Sequence, residues 1–188
     1  MSSVKKACIC SFCTALCCVL PLAFHALGLG MAFSPMHLPV LLCGVLCGWP
    51  YGLVCGVAGP AVSCALSGMP SAAQLICMIP ELAVYGLVSG LLFGRVRTGR
   101  AYADLYLSLL PAMLLGRVAG GIAQMLLYLS TARSYSLAVW AGAYLTGTLP
   151  GTALHLIAVP ALALALMKAR LIPERYPRKE AKRHGSIA

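Results

Sequence analysis

Charged residues are scarce in this sequence, and acidic residues are the scarcest of all. Of 188 residues, 10% are charged and only four are Asp or Glu, whereas 61% are hydrophobic. Such a composition leaves no room for a soluble domain that holds a nucleotide. The chain also lacks a Walker A sequence, a GxGxxG turn and any other phosphate cradle. The sequence therefore predicts an integral membrane protein that does not itself hydrolyse ATP.

Basic residues, in contrast, give a formal net charge of +10 and fall mostly into three clusters at the ends of apolar segments. The clusters are Lys5–Lys6, Arg95–Arg100 and the run from Lys168 to Arg183. Cytoplasmic connections collect Lys and Arg, so an even number of spans separates the clusters. We predict an all-α membrane domain at 1–170 with six transmembrane helices and both termini cytoplasmic, followed by a basic cytoplasmic tail at 171–188. Nucleic acid is not an expected partner.

The helices are expected at about 7–28, 38–49, 51–68, 73–95, 104–130 and 136–168, the last with a bend at Pro150. The second of these is short, because prolines at 35, 39 and 50 bound it. A span needs about 20 residues, so this helix should pack inside the bundle, where neighbours satisfy its ends.

Glycines recur at every fourth position in this region and again in the fourth helix. They are Gly44, Gly48, Gly52, Gly56, Gly86, Gly90 and Gly94. Small residues at this spacing let helices approach closely. We interpret all seven as packing residues.

All ten cysteines lie inside or at the edge of apolar runs, where Cys behaves as a small hydrophobe. Cys10 and Cys13 form a CxxC, but no second pair or nearby His completes a zinc site. Packing is the preferred interpretation, with a metal or redox role as the alternative. At the N-terminus, Lys5 and Lys6 before an apolar stretch also fit a signal peptide, although the cleavage pattern near Gly28 is poor.

Two ionisable residues lie deep inside predicted spans. Glu81 and Arg117 each cost about 2.5 to 3.5 kcal/mol at a helix centre on insertion scales. Their helices run in opposite directions, so the side chains reach similar depths. A structural ion pair between them is one interpretation, and a ligand site is the other.

Polar stripes around these residues favour the ligand site. One helix face carries Arg117, Gly121, Gln124 and Tyr128, another carries Tyr144, Thr148, Gly151 and His155, and a third carries Glu81 and Tyr85. Each set is spaced by three or four residues and so shares a face. Alone, His155 is more often a hydrogen-bonded interior residue. Together, the stripes predict a cavity, and the loops 28–39 and 67–74 are placed to cover it.

Four segments follow one another along the chain: "FSPMHLPVLLCGVLCGWPYGLVCG", "ELAVYGLVSGLLFGR", "GRVAGG" and "GTLPGTALHLIAVP". In this respect residues 8–170 resemble the substrate-binding S components of energy-coupling factor (ECF) transporters, the vitamin-uptake group. The resemblance implies a six-helix protein that captures a micronutrient from outside the cell. It also implies association with a shared transmembrane coupling subunit and two cytoplasmic ATPases.

The resemblance assigns roles to particular positions. Ligand contacts in the first loop and in helices 4 to 6 map onto Met36, His37, Glu81, Arg117, Gln124 and Thr148. The small-residue face that docks the coupling subunit maps onto Ala7, Ser11 and Ala15, with Ser11 in place of the family's alanine. Arg117 favours an anionic group and Glu81 an amine or hydroxyl, so an acidic or zwitterionic vitamin such as pantothenate is preferred. No cofactor or metal is implied.

Three other functions are alternatives to the capture of a micronutrient. An intramembrane enzyme would use Glu81 and His155 as acid and base and Ser63 or Ser67 as nucleophile, but the chain has no GxSG elbow or HExxH pair. A structural scaffold would not need costly polar stripes. A solitary ion-coupled carrier usually shows an internal repeat, and none is evident here.

Overall fold

The computed structural model describes residues 1–26, 28, 33–130, 142, 149–169, 171–173 and 176. Within these residues the protein consists of helices without a strand, which confirms the all-α prediction. The described residues form six helices: α1 Ser3–Ala26, α2 His37–Cys47, α3 Trp49–Ser67, α4 Ala72–Arg95, α5 Ala101–Ser130 and α6 Leu149–Lys168. All except α2 are long and apolar enough to cross a membrane.

The predicted helix bounds hold to within a few residues for α1 to α5. Apart from Gly142, the segment of the predicted sixth helix before Leu149 lies outside the described residues, so the bend at Pro150 stays a prediction. Between α2 and α3 the chain breaks at Gly48, which adopts φ 94° while its N–H donates to the Gly44 carbonyl at 2.9 Å. Pro50 then occupies the first turn of α3, where a helix needs no N–H donor.

The short helix α2 lies at the centre of the bundle. Ten of its 11 residues are buried, and it packs against α1, α3, α4 and α6. Neighbouring helices therefore surround it on all sides, as predicted for a helix too short to span alone.

Glycines bring α2 and α3 against the backbone of α4. A Cβ on Gly52 would collide with the Gly86 carbonyl, and a Cβ on Gly86 would collide with Gly52 in turn. Backbone contacts of the same kind are made by Gly44, Gly56 and Gly90. The packing interpretation is thus confirmed for five of the seven glycines.

The other two glycines have different surroundings, and for them the packing interpretation is wrong. Gly48 supplies the positive φ at the α2–α3 break, a conformation that costs little only for glycine. Gly94 is exposed, and no described residue lies within 4 Å of the position that a Cβ would take there.

The first two basic clusters and Lys168, the described residue of the third, lie at one end of the bundle. Lys5 Nζ donates a hydrogen bond to the Leu171 carbonyl, and Tyr176 OH donates to Asp104 Oδ2 at 2.8 Å. These contacts join the start of α1, the start of α5 and the segment after α6. The topology prediction requires this arrangement, because its clusters share one side of the membrane.

Candidate functional site

A tight turn before α2 positions His37. The Ser34 carbonyl accepts two hydrogen bonds from this residue, one from its backbone N–H at 3.1 Å and one from Nδ1 at 3.0 Å. Ser34 itself has φ 43°, which is uncommon for a residue with a side chain. The turn leaves the His37 ring buried and pointing at α4.

Glu81 is the α4 residue that meets His37. Its Oε1 lies 3.2 Å from His37 Nε2 and accepts a hydrogen bond from Tyr85 OH at 3.1 Å. Tyr85 stands one helical turn after Glu81, on the same face, and its ring also packs against the His37 ring at 5.0 Å. The three side chains form one buried polar group, although the sequence analysis did not predict the His37–Glu81 contact.

The proton inventory of this group follows from its hydrogen bonds. The Ser34 carbonyl only accepts, so His37 Nδ1 carries a proton. A second proton must lie between Nε2 and Oε1, since otherwise two lone pairs would face each other at 3.2 Å. That proton joins the two side chains, whichever of them carries it.

Two glycines of α5 make room for this group. A Cβ on Gly116 would strike the Tyr85 ring, and a Cβ on Gly120 would lie 2.8 Å from Glu81 Oε2. The α5 backbone therefore lies directly against Glu81 and Tyr85. Gly121, not these two residues, was the predicted glycine of this helix face, although Gly116 and Gly120 have the GxxxG spacing that marks close helix contacts.

Arg117 follows Gly116 and reaches toward α6. It is 7% exposed, and its Nη2 donates a hydrogen bond to Thr152 Oγ1 at 3.0 Å. In this part of the chain the ion pair joins Glu81 to His37, where the sequence suggested Arg117 as the partner of Glu81. The buried cation is thus held by α6 rather than by the α4 carboxylate.

His155 of α6 completes the site. Its ring stacks on the His37 ring with centroids 5.7 Å apart and an angle of 20° between the planes. The residue is 1% exposed, yet neither ring nitrogen has a hydrogen-bond partner among the described residues. An unsatisfied buried polar group costs about 1 to 3 kcal/mol, so an imidazole left in this state fits a position that a ligand completes.

Three of the remaining predicted site residues, Met36, Gln124 and Tyr128, lie in the part of the chain that the structure describes. Met36 packs in the hydrophobic core. Gln124 and Tyr128 lie further along α5 and are half-buried. Tyr144 and Thr148 lie outside the described residues, so their place in the site stays a prediction.

Ser63 and Ser67, the candidate nucleophiles of an enzyme, make hydrogen bonds to the backbone at the C-terminal end of α3. Ser63 Oγ donates to the Met69 carbonyl at 2.8 Å, and Ser67 Oγ donates to the Ser63 carbonyl at 2.7 Å. Both hydroxyl protons are directed at backbone acceptors. An activated nucleophile would instead donate to a side-chain base.

The small-residue stripe of α1 faces outward. Ala7, Ser11 and Ala15 are all exposed, whereas Cys10, Cys13 and Cys17 on the opposite face are buried against α2 and α3. The stripe is therefore not covered by another described helix of this chain.

These features define a helical membrane protein with a buried polar site formed by α2, α4, α5 and α6. The sequence profile of the family "ECF transporter, substrate-specific component" matches residues 5–169, and the chain belongs to this family. It is accordingly a transporter subunit rather than an enzyme, and a multi-pass protein of the prokaryotic plasma membrane. The comparison with curated proteins gave no match, nor did the comparison with solved structures.

Proposed function

We propose that this chain captures a vitamin or related micronutrient from outside the cell. It then delivers the solute through a shared transmembrane coupling subunit that two cytoplasmic ATPases drive. Family membership supports the role of a specificity subunit. The absence of any phosphate-binding motif in the sequence supports an external source of energy. In this proposal the end that carries the basic clusters faces the cytoplasm.

The observation that carries the proposal is the state of His155. Buried imidazoles normally have hydrogen-bond partners, and this one lies without any in the described residues between the His37–Glu81 pair and the helix that bears Arg117. A solute that bonds to His155 would satisfy it. The proposed binding residues are Met36, His37, Glu81, Tyr85, Arg117, Gln124, Tyr128, Tyr144, Thr148 and His155.

A thermal-shift screen of the purified protein tests capture. The compounds are the B vitamins and their biosynthetic precursors, pantothenate among them. We expect one of them to raise the unfolding midpoint of the wild type, because a ligand at about 100 times its Kd adds about 2.7 kcal/mol to stability. The same compound should leave the midpoint of His155→Leu unchanged. Capture is wrong if no compound acts and no coupling subunit co-purifies with the chain.

The stripe of Ala7, Ser11 and Ala15 is the proposed docking surface for the coupling subunit. Ala15→Trp should abolish co-purification of that subunit, since a large ring prevents close approach of two helices. Ala165→Trp is the matched control, because Ala165 is also exposed but lies on α6. Equal loss in the two variants would contradict docking through α1.

A further inference from the structure

We propose that the connection between α4 and α5 binds the headgroup of an anionic phospholipid, and that Arg100 and Tyr102 contact its phosphate. Tyr102 precedes Arg117 on α5 by a distance of about 22 Å at 1.5 Å per residue. The surface is therefore separate from the buried polar site, and the inference does not depend on the capture of a solute.

Hydrogen bonds fix the connection that carries Arg100. The Thr98 N–H donates to Asp104 Oδ1 at 2.8 Å. The next residue, Gly99, donates its N–H to Tyr176 OH at 3.1 Å, and Tyr176 OH donates in turn to Asp104. A fixed backbone presents its side chains to a ligand at lower ordering cost than a mobile one.

Arg100 and Tyr102 place two kinds of donor side by side. Arg100 Nη1 donates to the Tyr102 hydroxyl oxygen at 3.0 Å, and both side chains are exposed. The tyrosine O–H has no acceptor among the described residues, and the guanidinium forms no ion pair with them. Phosphate oxygens only accept hydrogen bonds, and a guanidinium can donate two in parallel to them. One phosphate can thus bind to both side chains.

Two further arginines stand close to this pair in sequence. Arg95 ends α4 and Arg97 lies in the connection, and both are exposed. Neither forms an ion pair among the described residues. The lysines of the first basic cluster, in contrast, are engaged by the protein itself. Lys5 donates to a carbonyl after α6, and Lys6 Nζ lies 5.9 Å from the centre of a tyrosine ring. The arginines are therefore the basic side chains most available to an external anion.

The length of α5 places the start of this helix among lipid headgroups. Its 30 residues extend about 45 Å, whereas the hydrocarbon core is about 30 Å thick. With the helix centred in the bilayer, Tyr102 lies about 20 Å from the midplane and Tyr106 about 14 Å. The four residues Tyr102, Tyr106, Leu110 and Leu114 are exposed and share one helix face, because they are spaced by four. This face offers an apolar surface to the acyl chains of a lipid whose phosphate binds above it.

The nearby arginines select the charge of the headgroup. Phosphatidylglycerol has a phosphodiester and no cationic group, so its net charge is negative. Phosphatidylcholine has the same phosphodiester and an ammonium group, which the guanidinium groups repel. A free anion would meet the same donors but would gain nothing from the apolar face of α5. The surface therefore fits an anionic phospholipid best.

Native mass spectrometry of the detergent-purified full-length chain tests this site. The probes are phosphatidylglycerol and phosphatidylcholine with the same acyl chains. We expect the first phosphatidylglycerol to bind at least about tenfold more tightly, because each basic residue near an anionic lipid contributes about fivefold. An excess of glycerophosphoglycerol, which is the headgroup without its acyl chains, should not displace the lipid.

Two pairs of variants locate the effect. Tyr102→Phe removes a hydroxyl but no charge and should weaken phosphatidylglycerol binding about two- to tenfold. Tyr106→Phe is the matched control on the same helix face and should stay within about twofold of the wild type. Arg100→Gln should weaken binding about fivefold. Its control, Lys168→Gln, removes an exposed cation at the same end of the bundle and should change binding by less than about twofold.

Four results would overturn the inference. The first is equal binding of the two lipids. The second is an equal loss in Arg100→Gln and Lys168→Gln, which would indicate diffuse positive charge rather than a site. Displacement by glycerophosphoglycerol would indicate an anion site that does not need a lipid. If Arg100→Gln and Tyr102→Phe bound lipid normally but lost co-purification of the coupling subunit, the surface would dock a protein. None of these results bears on solute capture, which the thermal-shift screen tests separately.

Discussion

Two carboxylates, Glu81 and Asp104, are buried in the described residues, and their surroundings differ. Asp104 is fully buried. Its Oδ1 accepts hydrogen bonds from the Thr98 N–H at 2.8 Å and the Thr98 hydroxyl at 2.6 Å, while its Oδ2 accepts one from Tyr176 at 2.8 Å. Glu81 is 5% exposed and bonds to His37 and Tyr85, but an unpartnered His155 lies against that group.

The difference separates a structural network from a binding site. Around Asp104 every donor comes from the chain itself, so the network fixes the α4–α5 connection and the segment after α6 in place. Around Glu81 the network is incomplete, because His155 has no hydrogen-bond partner among the described residues. Fully satisfied buried networks rigidify a protein, whereas an incomplete one is costly unless something else completes it. A variant at Glu81 should therefore change both stability and solute binding, whereas a variant at Asp104 should change stability alone.

The largest effect is expected from Glu81→Leu. Removing one partner of a buried pair leaves His37 uncompensated and should lower the free energy of unfolding by about 3 to 5 kcal/mol. The thermal shift given by the compound that stabilises the wild type should be lost as well, because the His37 ring that supports His155 loses its anchor. Thermal unfolding without and with that compound measures the two effects. A stable variant that has lost only the thermal shift would show that Glu81 contacts the solute without holding the site together.

A smaller effect, on stability alone, is expected from Asp104→Asn. The amide keeps one acceptor for Thr98 but offers no second acceptor to Tyr176, so unfolding should become easier by about 1.5 to 3 kcal/mol, the range for hydrogen bonds to charged groups. The affinity for the compound that stabilises the wild type should stay within about twofold, since sites more than about 10 Å apart act independently. A large loss of affinity would mean that the two ends of the bundle are coupled.

The helices of this protein are readable from sequence because apolar length and proline positions determine them. The burial of α2 inside the bundle followed from its length alone, since 11 residues cannot cross a bilayer unaided. The interpretation of Gly48 and Gly94 as packing residues was wrong for a physical reason. A four-residue glycine repeat does not distinguish a position that contacts another backbone from one that ends a helix or faces outward.

The sequence pointed to several side chains of the buried polar group, but it did not predict how they pair. Helical spacing placed Glu81 with Tyr85, because neighbours on one helix follow from local geometry. The partner of Glu81 proved to be His37, 44 residues away in sequence, which depends on how α2 packs against α4. No local pattern contains that information. The same holds for His155, whose lack of a partner is visible only once its neighbours are placed.

A modest loss of stability is expected from Tyr85→Phe. The substitution removes the hydroxyl that donates to Glu81 but keeps the ring that packs on His37, so the cost should be about 0.5 to 1.5 kcal/mol. Tyr106→Phe is the matched control at an exposed position of α5 and should change stability by less than about 0.5 kcal/mol. Equal values for the two variants would contradict a contribution of the Tyr85 hydroxyl to the network.

The smallest effect on stability is expected from His155→Leu, and its sign is the informative part. The leucine replaces an imidazole whose nitrogens are unpartnered in the described residues, so the free energy of unfolding should stay within about 1 kcal/mol of the wild type or rise. The thermal shift given by the compound that stabilises the wild type should nevertheless be lost, because the solute's own hydrogen bonds to His155 disappear. Glu81→Leu introduces the same side chain with the opposite effect on stability. If His155→Leu were as unstable as Glu81→Leu, His155 would be a structural residue like Asp104, and the distinction between the two networks would be wrong.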